Sequence, residues 1–230
     1  MSEQKKYEFT GEIKTIFGIE FKQIRAIVNF GCVVAGEIGG WIECEENLSQ
    51  SGNAWVYGDA RVSGDAWVSG NASVSGNASV SGNASVSGNA WVYGDARVSG
   101  DARVSGNASV SGNASVSGDA RVSGDARVSG DAWVSGDARV SGDARVSGDA
   151  DVKKDDDYMV IGGAGRYNRF TTFFKCRDKT IKVICGCFFG TIIEFRAKVK
   201  ETHKGNKHEK VYLAMADMAE LQIGNDEVEK

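Results

Sequence analysis

The chain has no proline and only two histidines in 230 residues. Without proline, its 30 glycines cannot belong to collagen, and their strict spacing does not fit a disordered linker. No apolar run approaches the roughly 18 residues that span a bilayer, so no membrane segment is expected. The first residues, MSEQKKYEFTGE, have no apolar stretch of the signal-peptide kind, which predicts a cytoplasmic protein. The net charge of -4 supplies no basic field and argues against nucleic acid as a partner. The five cysteines (Cys32, Cys44, Cys176, Cys185, Cys187) are odd in number and match no zinc spacing. They read as reduced, partly buried thiols. Cys185 and Cys187, two apart on an extended segment, share a side; a vicinal redox pair or half a metal site is the alternative. No metal ion and no cofactor is expected.

What the chain does have is a repeat. Residues 52–153 are seventeen uninterrupted hexads, GNAWVY GDARVS GDAWVS GNASVS and onward to GDADVK. Each is Gly, Asn or Asp, Ala, a variable residue, Val, then mostly Ser or Tyr. Ala and Val are two apart, so in an extended segment both face one way and the variable residue faces the other. Gly-Asn and Gly-Asp are turn dipeptides that accept positive φ. A flat sheet cannot turn every six residues, but a coil of three short strands can. Eighteen residues then make one triangular turn. Successive turns pair in parallel, and the stack is roughly 27 Å tall at ~4.8 Å per turn.

These hexads resemble the hexapeptide-repeat family, in which an inward aliphatic residue recurs every six and a small residue follows four positions later. Val56 with Ala60 and Val62 with Ala66 fit that rule. The resemblance implies a mainly β protein built on a left-handed parallel β-helix, an exception to right-handed crossovers, and often a homotrimer. The segment Arg25-Ala26-Ile27, Gly39-Gly40-Trp41 and Leu48-Ser49-Gln50 resembles the start of prophage hexapeptide-repeat proteins loosely described as acyltransferase-like. Their tail resembles Cys185-Gly186-Cys187-Phe188, Gly190-Thr191, Glu194-Phe195, Glu201-Thr202-His203 and Tyr212-Leu213-Ala214. This resemblance implies a phage setting inside a host cell.

Residues 1–51 are expected to form an N-terminal β cap, with two strands around Gly18 and Trp41 covering the first coil. Residues 154–230 read as a C-terminal α+β unit of ββαα order, set off by Lys153-Lys154-Asp155-Asp156-Asp157. Its hairpin pairs Phe170–Cys176 with Thr180–Phe189. Thr191 and Glu194 make a capping box for a helix lined by Ile192, Phe195 and Val199, and Gly205-Asn206 stops it. A second helix spans about His208–Ile223, with Val211, Ala214, Met215, Met218 and Gln222 as its stripe.

Hexapeptide acyltransferases typically deprotonate the acceptor with a coil-borne histidine. This repeat has none, and no loop interrupts it, so the resemblance implies the fold rather than the reaction and no catalytic residue is assigned. His203 with Glu201 or His208 is the one acid–base candidate, within a polar loop over Thr202–Lys207. Gly162-Gly163-Ala164-Gly165-Arg166 suggests a phosphate cradle but lacks the Lys-Ser/Thr of a P-loop and reads as a linker.

The variable positions, sorted by eighteen, fall on three faces. The first carries Trp55, Ser73, Trp91, Ser109, Arg127 and Arg145; the second Arg61, Ser79, Arg97, Ser115, Trp133 and Asp151; the third Trp67, Ser85, Arg103, Arg121 and Arg139. Trp, Tyr and Arg dominate interface energetics, so Trp55, Tyr57, Trp91 and Tyr93 form one candidate contact surface. Arg103, Arg121 and Arg139 form a ladder suited to an anion, unless Asp101, Asp119 and Asp137 neutralise it in exposed ion pairs. Ser rows broken by Trp and Arg do not make an ice-binding face, and Asn-Ala-Ser triplets carry no glycosylation meaning in the cytoplasm. The expected function is a non-enzymatic phage-type binding protein, a homo-oligomer with a trimer favoured. Its partner is a host protein or a small anionic, nucleotide-like ligand, with counter-defence as the setting. The alternatives are a structural spacer or virion component, and an acyltransferase-like enzyme or relic.

Overall fold

The computed structural model describes residues 5–164 and 169–224. Strands β1 (Tyr7–Ile16), β2 (Ile19–Ala26) and β3 (Ile38–Ile42) precede seventeen two-residue strands, from β4 (Trp55–Val56) to β20 (Asp151–Val152). These short strands pair in parallel at an interval of eighteen: Trp91 lies beside Ser73 and Ser109, and Val92 beside Val74 and Val110. The result is a parallel β-solenoid whose three faces are sheets of nine, six and five strands. The nine-stranded sheet takes in β1, β2 and β3, so the N-terminal strands continue one face.

Every Ala and Val of the hexads is at most 1% exposed, as the inward pairing requires. The hexad glycines turn the corners with φ between 59° and 73°. Gly88 shows why no other residue serves: a Cβ there would lie 2.9 Å from backbone atoms of Gly106 one turn on. The corner asparagines hydrogen-bond along the stack, Asn71 Nδ2 to Asn89 Oδ1 and Asn89 Nδ2 to Asn107 Oδ1, both at 3.0 Å.

The solenoid is polar along its axis. Each coil's N–H groups donate to the carbonyls of the next coil, as in Trp91 N–H to Ala108 O and Arg97 N–H to Ala114 O, both 2.9 Å. The N-terminal end therefore presents bare carbonyls and the C-terminal end bare N–H groups. The first is closed by donors: Lys6 Nζ reaches Ala54 O at 2.8 Å, and Asn47 Nδ2 reaches Gly64 O at 2.8 Å and Ala66 O at 2.9 Å. The second is closed by acceptors: Asp155 Oδ1 takes Arg139 N–H at 2.7 Å and Thr172 Oγ1 takes Arg145 N–H at 3.1 Å.

Trp41 does not plug the first coil. Its neighbour Ile42 points inward against Val62, while Trp41 stands outward beside Arg61 with Lys14 Nζ 3.9 Å above its ring. The buried plug is Tyr7, Ile24, Ile42 and Leu48.

The C-terminal unit has four strands rather than two: β21 (Tyr158–Ala164), β22 (Arg169–Lys175), β23 (Ile181–Cys185) and β24 (Phe188–Thr191) form one antiparallel sheet. Gly186, at φ 61°, lets the chain turn within what reads as one long strand. Helices α1 (Ile192–His203) and α2 (Lys207–Ile223) pack on this sheet. The Thr191–Glu194 capping box is present, with Thr191 Oγ1 accepting from Glu194 N–H at 3.2 Å and Glu194 Oε2 accepting from Thr191 N–H at 2.8 Å. The buried stripe of α2 is Met215, Ala216, Ala219 and Ile223, one position away from the apolar stripe read in the sequence; Val211, Ala214 and Met218 are exposed. Small alanines let α2 approach the sheet closely, a preference that hydrophobicity alone does not reveal. Gly165 and Arg166 of the glycine-rich segment lie outside the described residues.

Candidate functional site

The three outward columns have the composition that the eighteen-residue period predicts, but the N-terminal segment changes what they offer. Trp55 is fully buried. Residues 27–39 wrap over the first coil, and Tyr7 and Phe30 meet the Trp55 ring edge-on at centroid separations of 6.1 and 5.4 Å. Tyr57 is half-buried against it at 6.5 Å, and burial and Glu37 raise its phenol pKa. Trp55 and Tyr57 are thus anchors of the cap, a correction to their reading as a contact surface; no repeat period encodes what lies over the first coil.

Two coils further along, the same hexad types stand open. Trp91 is 60% exposed and Tyr93 41% exposed. Trp91, Ser109 and Arg127 are successive members of one column. With Asn89, Tyr93 and Asn107 they line a surface cavity of about 380 Å³. The Ser111 and Ser109 hydroxyls beside Tyr93, together with the Arg127 charge, hold its phenol below the ordinary pKa.

Arg103, Arg121 and Arg139 are stacked in register and exposed. Among the described residues none of them forms an ion pair with Asp101, Asp119 or Asp137, so the anticipated neutralising ladder does not form. Trp133 has Arg177 of the C-terminal unit over one face, its guanidinium carbon 5.3 Å from the ring centre, yet it is as exposed as Trp67, each at 49%.

A second cavity, of about 410 Å³, lies in the C-terminal unit. Phe188, Phe195, Val199 and Tyr212 give it apolar walls, and Cys185, Cys187, Thr202, Lys198 and His203 complete the lining. The helix runs through His203, which places this imidazole in the wall rather than in a loop. Its ring lies 5.4 Å from Tyr212 and 5.8 Å from His208. Glu201, a sequence-level partner for His203, instead accepts from Lys198 at 2.9 Å. Cys185 accepts from Thr171 Oγ1 at 3.2 Å, and burial followed by Cys185 pushes Tyr212 up to about 12. This cavity has no signature in the sequence, because its lining comes from both helices and the β23–β24 turn.

Asp149, Cys176 and Asp178 bring three potential metal-ligand atoms within 4.8 Å of one another. Lys182 already bonds Asp149 and holds its carboxyl below the usual range. Burial, with Asp149 adding to it, pushes the Cys176 thiol up to about 12. The cluster joins the Lys182–Asp149 ion pair to the Cys176 thiol where the solenoid meets the C-terminal unit.

Comparison with known proteins supports this architecture. Residues 54–70, 90–106, 96–112, 102–118, 120–136 and 138–152 match the YdcK beta solenoid repeat. This is a β-helix repeat protein. The chain is also 40% identical over 57 residues to a protein of Escherichia coli (strain K12) named "Uncharacterized acetyltransferase YdcK". That match covers 25% of this chain and 18% of the relative. It corrects the expectation that this chain is not an enzyme. A protein named for acetyl transfer is similar to it, so a repeat without histidine is no ground for excluding catalysis.

Proposed function

We propose that the β-solenoid is a rigid binding surface of phage type, which engages a host protein or a small nucleotide-like ligand through its exposed Trp, Tyr and Arg columns. The observation that carries this reading is the outward placement of Trp91 beside Tyr93. An indole left in water forfeits burial that contributes about 2–3 kcal/mol, and the serine found in other hexads would serve the fold equally well. Homotrimer formation would bury Trp67 or Trp91 and turn the Arg103–Arg121–Arg139 ladder toward a cleft between copies. A cytoplasmic, counter-defence setting agrees with this reading. The test is quantitative binding of host-cell extract to the intact protein and to a Trp91→Ser/Arg127→Ser variant, with mass measured by light scattering. A retained component lost in the variant supports the reading. Equal retention by both proteins, or none by either, counts against it.

A second reading is favoured by the C-terminal cavity. An imidazole, a phenol and two thiols around an apolar volume are the groups an acyl transfer would use, and the relative's name points to the acetyl group. Here His203 would accept the proton of the acceptor. Turnover of acetyl-coenzyme A, lost in His203→Gln and retained in Trp91→Ser, would place the activity in this cavity; no turnover above background removes this reading.

A further inference from the structure

On each face of the solenoid, a serine is flanked one coil away on either side by one tryptophan and one arginine. The first face has Trp91, Ser109 and Arg127. The third has Trp67, Ser85 and Arg103. The second has the same trio inverted, Arg97, Ser115 and Trp133. Strand register places the indole and the guanidinium two sheet spacings apart, about 9.6 Å, with only a hydroxymethyl group between them. A planar ring stacked on the indole at a centroid separation of about 4.5–7 Å leaves room for a substituent that reaches the guanidinium. On the second face a guanidinium from within the chain already lies over the indole, Arg177 on Trp133, although Trp133 remains 49% exposed. The first is open and the most developed: its cavity has the Tyr93 phenol on one side and the Asn89 and Asn107 amides at the corner.

We propose that the Trp91–Ser109–Arg127 notch is a binding site for a planar heteroaromatic ring carrying a phosphate. The ring stacks on Trp91, the Tyr93 hydroxyl and the corner amides meet its polar edges, and Arg127 takes the phosphate in a charge-assisted fork. Trp67–Ser85–Arg103 is a second, simpler copy without the tyrosine. This inference rests on the binding-surface reading and names the ligand chemistry for it.

The experiment is calorimetric or tryptophan-fluorescence titration of the full chain with adenosine 5′-monophosphate, adenosine and ribose 5-phosphate. Adenosine 5′-monophosphate should saturate, and each fragment should bind about tenfold weaker or less. Trp91→Ser and Arg127→Ser introduce a residue the repeat already carries at this position, so both variants keep the solenoid. Trp91→Ser should abolish saturation, followed by calorimetry because a fluorophore is removed. Arg127→Ser should weaken adenosine 5′-monophosphate about tenfold and leave adenosine unchanged. No saturation with the intact chain, or binding indifferent to both substitutions, overturns the assignment. If the nucleotide fails while the double variant still loses its retained host component, the surface reading stands and the ring-phosphate site falls.

Discussion

Asn47 and Asp157 occupy equivalent places in two short 3-10 turns, one at each end of the solenoid. Asn47 Oδ1 accepts from the backbone of Glu43 and Cys44 at 3.1 and 3.0 Å. Asp157 Oδ2 accepts in the same way from Lys153 and Lys154 at 2.8 and 3.0 Å. The remaining side-chain atom differs with the polarity of the stack. At the carbonyl end, Asn47 supplies a donor to Gly64 and Ala66. At the opposite end, Asp157 has no carbonyl to satisfy and its second oxygen faces Lys175 Nζ at 4.0 Å.

This asymmetry predicts unequal effects from exchanging the two residues. Asn47→Asp sets a carboxylate oxygen against two backbone carbonyls in a buried site and should cost about 2–4 kcal/mol. Asp157→Asn keeps the acceptor that binds Lys153 and Lys154 and should cost about 1 kcal/mol or less. Urea unfolding midpoints of the two variants check this; equal losses would mean that axial polarity does not select the capping residue.

The buried ammonium at the same end predicts a pH dependence. Burial lowers the Lys6 pKa from 10.5 to about 8. Between these values the unfolded chain holds a proton that the folded chain has released, so stability should rise as pH increases from about 8 toward 10. Burial, followed by Glu45, raises the pKa of neighbouring Tyr7. Stability from keeping that phenol neutral is fully present below its unfolded pKa of about 10 and declines above it. Denaturation midpoints at half-unit pH steps should therefore climb and then fall. Lys6→Met should remove the climb and keep the fall.

One column offers an internal control for the buried and exposed indoles. Trp55 and Trp91 stand two coils apart on one face, fully buried and 60% exposed respectively. Trp55→Ser should destabilise by about 3–5 kcal/mol, through lost burial and a cavity beneath Tyr7 and Phe30. Trp91→Ser should stay within about 0.5 kcal/mol of the parent. Thermal or urea unfolding of both variants decides it, and comparable losses would show that Trp91 is part of the fold rather than of a surface.

Much of the fold was legible because the repeat states a single rule seventeen times. Ala60 and Val62 alternate with Arg61, and that parity settles which side chains are inside. The Thr191–Glu194 pair likewise identified a helix start through local hydrogen bonding alone. Other features were not local. The buried face of α2 is one of these: Met218 and Ala219 are both apolar, and which of them is buried depends on what the helix lies against. The two ends of β23 and β24 merged in the sequence because Gly186 is the only mark of the turn between them. The C-terminal cavity gave no signal, since Cys187, Val199 and Tyr212 are brought together only by packing.

By itself, the sequence determined the coil of eighteen, the inward Ala and Val, and the membership of each outward column, since side-chain parity and turn chemistry act within six residues. Tertiary structure decided which members of those columns meet water. Trp55 and Trp91 sit in the same hexad context, and the N-terminal segment, through Tyr7 and the wrapping of residues 27–39 over the first coil, buries one and leaves the other exposed.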